Sequence, residues 1–420
     1  EGRVFTSVAG PPPRAGRRNR LAFLLADAES LAPEGRRVGM AGGLLSRRGS
    51  PPATPIRQQA GWRNCGVPTF QFPNAFPPGF GSIGAQSFSA IDSRLRNPYI
   101  QQWNLTVEQE ILGMGVRASY IGTSTRQLIW VQQINQVPPS SAPFDNGQRR
   151  FPALRDVALR VNGASHKYHS LNLVAERKLQ NGVYYQLGWT WAKNMTNCLT
   201  DGDGGCQPLN AYNRNADWGN VDYTPRHRVA GSLLYDLPFG KGKRFLSGSR
   251  VADWVLGGWT ASSIIVLQTG LYFSPNFSGF DVSNTNTTGS QRPDRVADGN
   301  FPSSERKISR WFDNKAFVVP GDLTGDGRPD VKAGRFGNSA PNVIVGPGTL
   351  LMDGGLHKRF QFGERLRATL EGTFTNVLNH PNYGTPNMNI RSGSVGQITS
   401  LYGRYSAGPR SGRLGLRFEF

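Results

Sequence analysis

The C-terminal residues alternate in character. Leu414, Leu416, Phe418 and Phe420 share one side of an extended backbone, and Arg413, Gly415, Arg417 and Glu419 share the other. A period of two marks a β-strand with one apolar and one polar face. The pattern recurs upstream. Trp103, Leu105 and Val107 alternate with Asn104, Thr106 and Glu108. Val183, Tyr185, Leu187, Trp189 and Trp191 follow a Gln180-Asn181-Gly182 hairpin signal. Leu366, Ala368, Leu370 and Phe374 alternate with Arg365, Arg367, Thr369, Glu371 and Thr373. Between Trp259 and Gly270 both faces are partly apolar, which leaves the register there ambiguous. Following the alternation predicts about nine strands, at 99–111, 115–123, 167–179, 183–193, 225–237, 257–270, 350–360, 364–377 and 411–420.

The connections sort by length. The shorter ones are 112–114, 180–182, 238–256 and 361–363; the long ones are 124–166, 194–224, 271–349 and 378–410. Short and long alternate along the chain, so the short turns gather at one end of an antiparallel sheet and the long loops at the other. A β-sandwich has no reason to do this. Outer-membrane barrels do, with short periplasmic turns and long extracellular loops. The expected fold is all-β, an antiparallel transmembrane β-barrel that is incomplete in this chain. Its charged positions would face a wet lumen and its apolar positions lipid. Trp103, Tyr120, Trp191, Tyr235 and Phe374 fall near strand ends, where interfacial aromatic girdles sit. The last strand resembles the closing strand of such barrels, which implies that Leu414, Leu416, Phe418 and Phe420 form the signal read by the barrel assembly machinery.

Composition limits the alternatives. Mean hydropathy is −0.43, and no apolar run approaches the ~20 residues a membrane helix needs. The 52 Gly and 29 Pro argue for turns and long loops over a helical bundle. A net charge of +20 raises nucleic acid as a partner. The Arg residues are scattered, however, and no basic run with interleaved aromatics forms a recognition surface, so nucleic-acid binding by a soluble basic β protein is the weakest reading. Residues 1–64 are rich in Arg, Gly, Pro and Ala and hold no sustained period. They are expected to be irregular, either disordered or translated out of frame, with the barrel portion occupying 65–420. The chain does not open on Met, and it reads as the C-terminal part of a longer protein.

Few residues suggest local chemistry. Cys198 and Cys206 flank a Gly- and Asp-rich stretch that a disulfide could close, leaving Cys65 over. In Asp322-Leu-Thr-Gly-Asp-Gly-Arg-Pro-Asp330, the oxygens of Asp322, Thr324, Asp326 and Asp330 are spaced to wrap a calcium ion, and the alternative is a solvated acidic turn. His166 and His169 point to opposite faces of a strand and cannot share a metal. No G-x-S-x-G, H-E-x-x-H, P-loop or dinucleotide fingerprint occurs, so no enzyme and no catalytic residue is expected.

Longer motifs carry a resemblance. They are Arg96-Asn-Pro-Tyr-Ile-Gln-Gln-Trp-Asn-Leu-Thr-Val-Glu108, Pro225-Arg-His-Arg-Val229 with Tyr235-Asp-Leu-Pro-Phe-Gly240, and Trp311-Phe-Asp-Asn314 with Ala316-Phe317. Further on come Gly334-Arg-Phe-Gly-Asn338 and Phe362-Gly-Glu-Arg365 leading to Thr375-Asn-Val-Leu-Asn-His-Pro-Asn-Tyr383. Over roughly 65–420 the chain resembles the Oar-like, TonB-dependent receptor β-barrels of Gram-negative bacteria. The resemblance implies the C-terminal strands of a 22-stranded barrel with a plugged lumen in the outer membrane, energised by the TonB complex through an N-terminal plug not seen in this sequence. An upstream carboxypeptidase-regulatory-like domain is also common in that family. The implied function is uptake of a ligand that the sequence does not identify. An adhesion or surface-display barrel, its loops binding polysaccharide or a partner, is the alternative. By itself a sheet of this size is not expected to close a barrel of that width or to transport.

Overall fold

The computed structural model describes residues 3–8, 85–198, 206–246, 248, 250–362, 366–402 and 408–420, all within one compact unit. Its main elements are β1 Arg3–Val8, β2 Gln86–Ile91, β3 Tyr99–Ile111, β4 Met114–Gln133, β5 Leu154–Gln180 and β6 Val183–Thr196. They continue with β7 His227–Asp236, α1 Arg250–Leu256, β8 Trp259–Gln268, β9 Thr349–Phe362, β10 Leu366–Thr375 and β11 Ser411–Glu419. From β3 to β11 each strand pairs antiparallel with the next in sequence, so the chain runs up and down one sheet. Among the described residues no ladder joins β11 back to the opposite edge.

Three features depart from the sequence reading. β4 and β5 run well beyond 115–123 and 167–179 and form a tall hairpin at the long-loop end. β2 pairs with that extension in parallel, so the sheet is not wholly antiparallel. β1 lies antiparallel against β3, so an irregular N-terminal segment does not describe residues 3–8; the rest of 1–64 lies outside the described residues.

The short turns follow from their residues. Leu112 and Gly113 have φ of 53° and 74°, and Asn181 and Gly182 have φ of 54° and 79°. Two consecutive left-handed residues make the type I′ turn, whose twist matches a two-residue hairpin. The Asn-Gly pair adopts it readily. Leu112 pays a steric cost there and is 91% exposed.

Register decides which side chains share a face. Leu105 pairs with Tyr120, Tyr120 with Leu171, and Leu171 with Trp191. Leu187 pairs with Gly231, and Gly231 with Ile265. Met352 pairs with Ile265, Leu370 with Leu416, and Ala368 with Phe418. Directly opposed residues point the same way, so these rows join into one apolar face across β3–β11. The other face is polar. Thr106 pairs with Ser119, Asn172 with Thr190, His357 with Glu371, and Thr369 with Arg417. Arg117 also bonds Glu108 across that face at 2.7 Å. The register in 259–268 puts Ala261, Ser263, Ile265 and Leu267 on the apolar side and Thr260, Ser262, Ile264, Val266 and Gln268 on the lumenal side, so Ile264 and Val266 are apolar residues on the polar face.

The apolar face is open to the surroundings: Leu105, Leu187, Leu233 and Leu416 are 42–58% exposed. The fully buried large apolar side chains lie elsewhere, in the loops, where Phe277, Phe312, Val282 and Ile344 are 0% exposed. A soluble protein would bury its sheet face first. Burying loop residues while exposing a continuous apolar sheet face fits a hydrocarbon surround.

This assignment predicts unequal effects of charge on neighbouring positions. Val107 belongs to the apolar face and Thr106 to the polar one. Val107→Arg should lower the folded, heat-modifiable fraction extracted from the membrane, at a cost of about 2–4 kcal/mol near mid-bilayer. Thr106→Arg, beside Glu108, should be nearly silent, and equal effects would contradict the register.

Candidate functional site

The long loops form a packed layer at one end of the sheet. They hold little regular structure, so their order comes from side chains satisfying backbone groups. Asn135 is fully buried; its amide nitrogen donates to the carbonyls of Phe151, Leu154 and Arg155 at 2.6–3.1 Å, and its oxygen accepts from the Phe151 amide at 2.8 Å. Asn300 donates to Val343 O and accepts from Val345 N, each at 2.9 Å. Asn342 and Asn220 each donate through their side-chain amide to the other's backbone carbonyl, at 2.7 and 3.1 Å. Beneath these bonds lie two apolar clusters, one around Phe312, Phe317, Ile344 and Met388 and one around Phe277, Val282 and Val319.

The recurrent motifs act mainly in this layer. Asn376 donates to His380 O and Gly408 O, and Asn382 accepts from Leu350 N at 2.8 Å, so Thr375-Asn-Val-Leu-Asn-His-Pro-Asn382 is a fold-back that docks the last long loop onto β9. Arg335 grips Asp294 with Nη1 and Nη2 of its guanidinium at 2.7 and 2.8 Å, which raises its pKa above the ordinary Arg value. Phe312 of the Trp311 motif sits in the larger apolar cluster.

Between these loops opens a cavity of about 640 Å³. Gln207, Asp217, Asn276, Ser290, Gln291 and Arg292 are among its lining residues. A short 3-10 turn, Arg214–Asp217, delivers Asp217, and Pro293 ends the segment carrying Arg292. Arg292 meets Asp217 at 2.6 Å, with side chains 15% and 10% exposed. Arg292 also donates to Ser339 O at 2.9 Å and Ala216 O at 3.1 Å. Burial pushes the Asp217 carboxyl above its usual range, against the opposing pull of Arg292 and the Leu209 amide. Gln291 donates to Phe280 O at 2.6 Å and Thr287 O at 2.9 Å, and its Oε1 is buried without a partner among the described residues. A second cavity of about 660 Å³ shares Leu209 and Arg292 with the first. Amides, hydroxyls and a closed ion pair suit hydrogen-bonded capture of a polar ligand.

Sequence reasoning did not single out Asp217, Gln291 or Arg292. Arg292 and Gln291 between Gly289 and Pro293 in a long loop were a signal, but the Asp217 partner of Arg292 lies 75 residues away.

The residues that it did single out are placed as follows. Cys198 and Cys206 are joined by a disulfide, with Cα atoms 5.2 Å apart, and pack with Trp130 and Ala164; Cys206 also lines the cavity. Residues 199–205 between them lie outside the described residues. The four oxygens expected to bind calcium do not converge. Asp322 accepts from the amides of Gly325 and Gly327 at 2.6 and 2.8 Å, and Asp326 from Arg328 N at 2.8 Å. Asp330 accepts from Leu323 N at 2.6 Å and Thr324 N at 2.9 Å, and Thr324 Oγ1 also donates to it. Among the described residues no three His, Cys, Asp or Glu side chains are grouped to hold an ion. The carboxylates instead accept hydrogen bonds from the loop's own N–H groups. Leu414, Leu416 and Phe418 lie on the apolar face of the last strand and Phe420 just beyond it, fully exposed.

Comparison with known proteins gives the chain a family. A family model described as an outer membrane beta barrel domain matches residues 40–412. Among curated proteins nothing matches. Similar solved structures include the outer membrane transporter YddB from Escherichia coli, 11% identical with a TM-score of 0.43, the match covering 78% of this chain and 33% of that one. BauA, the ferric preacinetobactin receptor from Acinetobacter baumannii, is 10% identical with a TM-score of 0.38 over 76% of this chain and 29% of that one. The FrpB iron transporter from Neisseria meningitidis is 12% identical with a TM-score of 0.37 over 79% and 33%. The chain thus spans about a third of the length of these structures.

Two predictions test the loop layer. Asp217→Asn alone, or Arg292→Met alone, should cost the layer about 3–5 kcal/mol, because each strands a buried polar partner. The double variant should cost less than the sum, read as the opening free energy from hydrogen exchange. The second concerns pH. Amides of Leu323 and Thr324 hold the exposed Asp330 carboxyl below its usual pKa. A depressed carboxyl stabilises fully above its unfolded value, about 3.9, and loses that contribution as pH falls through the folded one. Exchange of the 321–331 segment, corrected for intrinsic rate, should be flat from pH 7 to about 5 and rise only below about 4.

Proposed function

The chain belongs to the outer membrane beta barrel domain family, and on that premise we propose that it is the C-terminal strand-and-loop part of an Oar-like, TonB-dependent receptor that takes up a ligand across the outer membrane. One observation carries the reading: a continuous lipid face and a polar lumenal face end in an ordered loop layer with a polar cavity. A passive anchor would need only the first two. The 96–108, 225–240, 311–317, 334–338 and 362–383 motifs support the receptor family. An unpaired β11 edge in hydrocarbon would leave backbone groups unsatisfied, so closure of the barrel calls for strands beyond those of this sheet. In this reading β11, with Leu414, Leu416, Phe418 and Phe420, is the strand offered to the assembly machinery. Coupling to TonB would run through a plug domain of the full-length protein.

The packed loop layer also suits display, in which the same surface grips polysaccharide or a neighbouring cell. Energy coupling separates the two. Full-length protein in detergent should bind the purified C-terminal domain of TonB at micromolar concentration. No such binding, together with cell attachment lost when 269–348 is deleted, would favour adhesion.

A further inference from the structure

The connection 237–258 is the longest at the short-turn end, and among the described residues it holds the one α-helix. That helix packs on the apolar face of the sheet. Lys358 pairs with Trp259 and Leu370, so its side chain leaves the strand on the lipid side. Its Nζ donates to the carbonyls of Val255 and Gly257 at 3.1 and 2.6 Å, at the C-terminal end of α1. The same ammonium lies 5.3 Å from the Trp259 ring centre and 4.9 Å from that of Phe360. Trp254 packs on Phe360 at 5.6 Å, and Trp259 Nε1 donates to Val255 O at 3.0 Å. A cation on the apolar face is thereby satisfied by capping a helix, and the helix is pinned against the lipid-facing surface.

The outer side of this helix is largely exposed. Val251, Trp254 and Val255, spaced i, i+3 and i+4, are 76%, 63% and 50% exposed. Phe245 and Leu246 before it are also exposed. Beside them Lys241 and Arg244 are exposed, with Arg244 over the Phe245 ring at 5.5 Å, while Lys243 leans toward Asp236 at 3.9 Å. Apolar residues on one helix face, aromatic neighbours and adjacent cations are what an interfacial helix presents to an anionic membrane surface. In outer-membrane barrels the short turns face the periplasm.

We propose that the 238–258 connection is a binding site for anionic phospholipid of the periplasmic leaflet, with Val251, Trp254 and Val255 entering the acyl boundary and Lys241 and Arg244 meeting the phosphate headgroups. Lipid is the occupant because the helix continues the lipid-facing surface through Trp259, Lys358 and Phe360 and adds basic charge at its rim. Lys358 acts as the pin that keeps the helix at that depth.

The test uses full-length protein, delipidated in neutral detergent and offered phosphatidylglycerol or phosphatidylcholine, with bound lipid counted by native mass spectrometry. The protein should retain phosphatidylglycerol in preference. Each surface cation contributes roughly fivefold, so Lys241→Gln with Arg244→Gln should reduce that preference by about 25-fold at most. Both side chains are exposed, so the double variant should keep the heat-modifiable folded form. Trp254→Phe should remove a component of the tryptophan fluorescence that lipids brominated in the upper acyl chain quench. Unchanged phosphatidylglycerol retention in the double variant would overturn the proposal. So would a dimer in the spectra that Val251→Ser dissolves, because the face would then belong to a second copy.

Discussion

Hydrocarbon offers no hydrogen-bond partner, so every backbone N–H and C=O that enters it must be satisfied within the protein. An up-and-down sheet closed into a barrel is one of two arrangements that meet this demand, and that demand shapes the strands of this chain. Strands must be long enough to cross, and β3, β6 and β9 run 13 or 14 residues. Their side chains must divide by face, since one side meets lipid and the other water. Adjacent strands must keep one register, because a one-residue slip would turn Arg and Glu toward lipid. One bulge lies where the demand ends. The β4–β5 ladder shifts between Thr125 and Leu128, where Gln127 takes φ of 60° and its carbonyl accepts from Asn162 at 2.7 Å. Beyond it the hairpin rises into the loop layer.

Above that level the same backbone groups are satisfied differently. Ladders give way to Asn and Asp side chains that each serve two to four amides or carbonyls, as Asn135, Asn300 and Asp330 do. Such bonds are specific to one geometry, and in the cavity wall Gln291 and Arg292 make the same kind, each donating to two carbonyls. The disulfide between Cys198 and Cys206 ties one wall beside Trp130. A loop held this way can be ordered without a sheet or helix of its own.

How much was legible follows from where each signal resides. Alternation is local, so strands such as 99–111 and 411–419 were readable to within a residue or so. The hairpin extension was missed because both faces of 126–133 meet protein or water and no longer alternate. The parallel β2 and the short β1 pair with distant strands and carry no period long enough to notice. The acidic loop shows a different limit. Oxygens at calcium spacing are equally at the spacing of Asx turns, and which they make depends on where the amides of Leu323, Thr324, Gly325 and Gly327 point. The Asp217–Arg292 pair spans 75 residues, a distance that no local pattern reports.

The strongly basic composition has a structural reading too. A carbonyl has two lone pairs while an amide has one hydrogen, and irregular backbone leaves its carbonyls in excess. Neutral Asn supplies some of the missing donors, and Arg, with five donors in a rigid fork, supplies more. Arg149 donates to Arg155 O, Arg226 to Ala192 O, Arg306 to Phe301 O and Arg391 to Ser278 O. Apart from Arg149, which also meets Asp156 at 3.6 Å, these bonds use no acidic partner, so they add positive charge without a compensating carboxylate. Lys358, donating to Val255 O and Gly257 O, does the same at the opposite end of the sheet. A chain with long irregular loops thus becomes basic through the need to satisfy its own carbonyls. Part of its charge of +20 arises in this way.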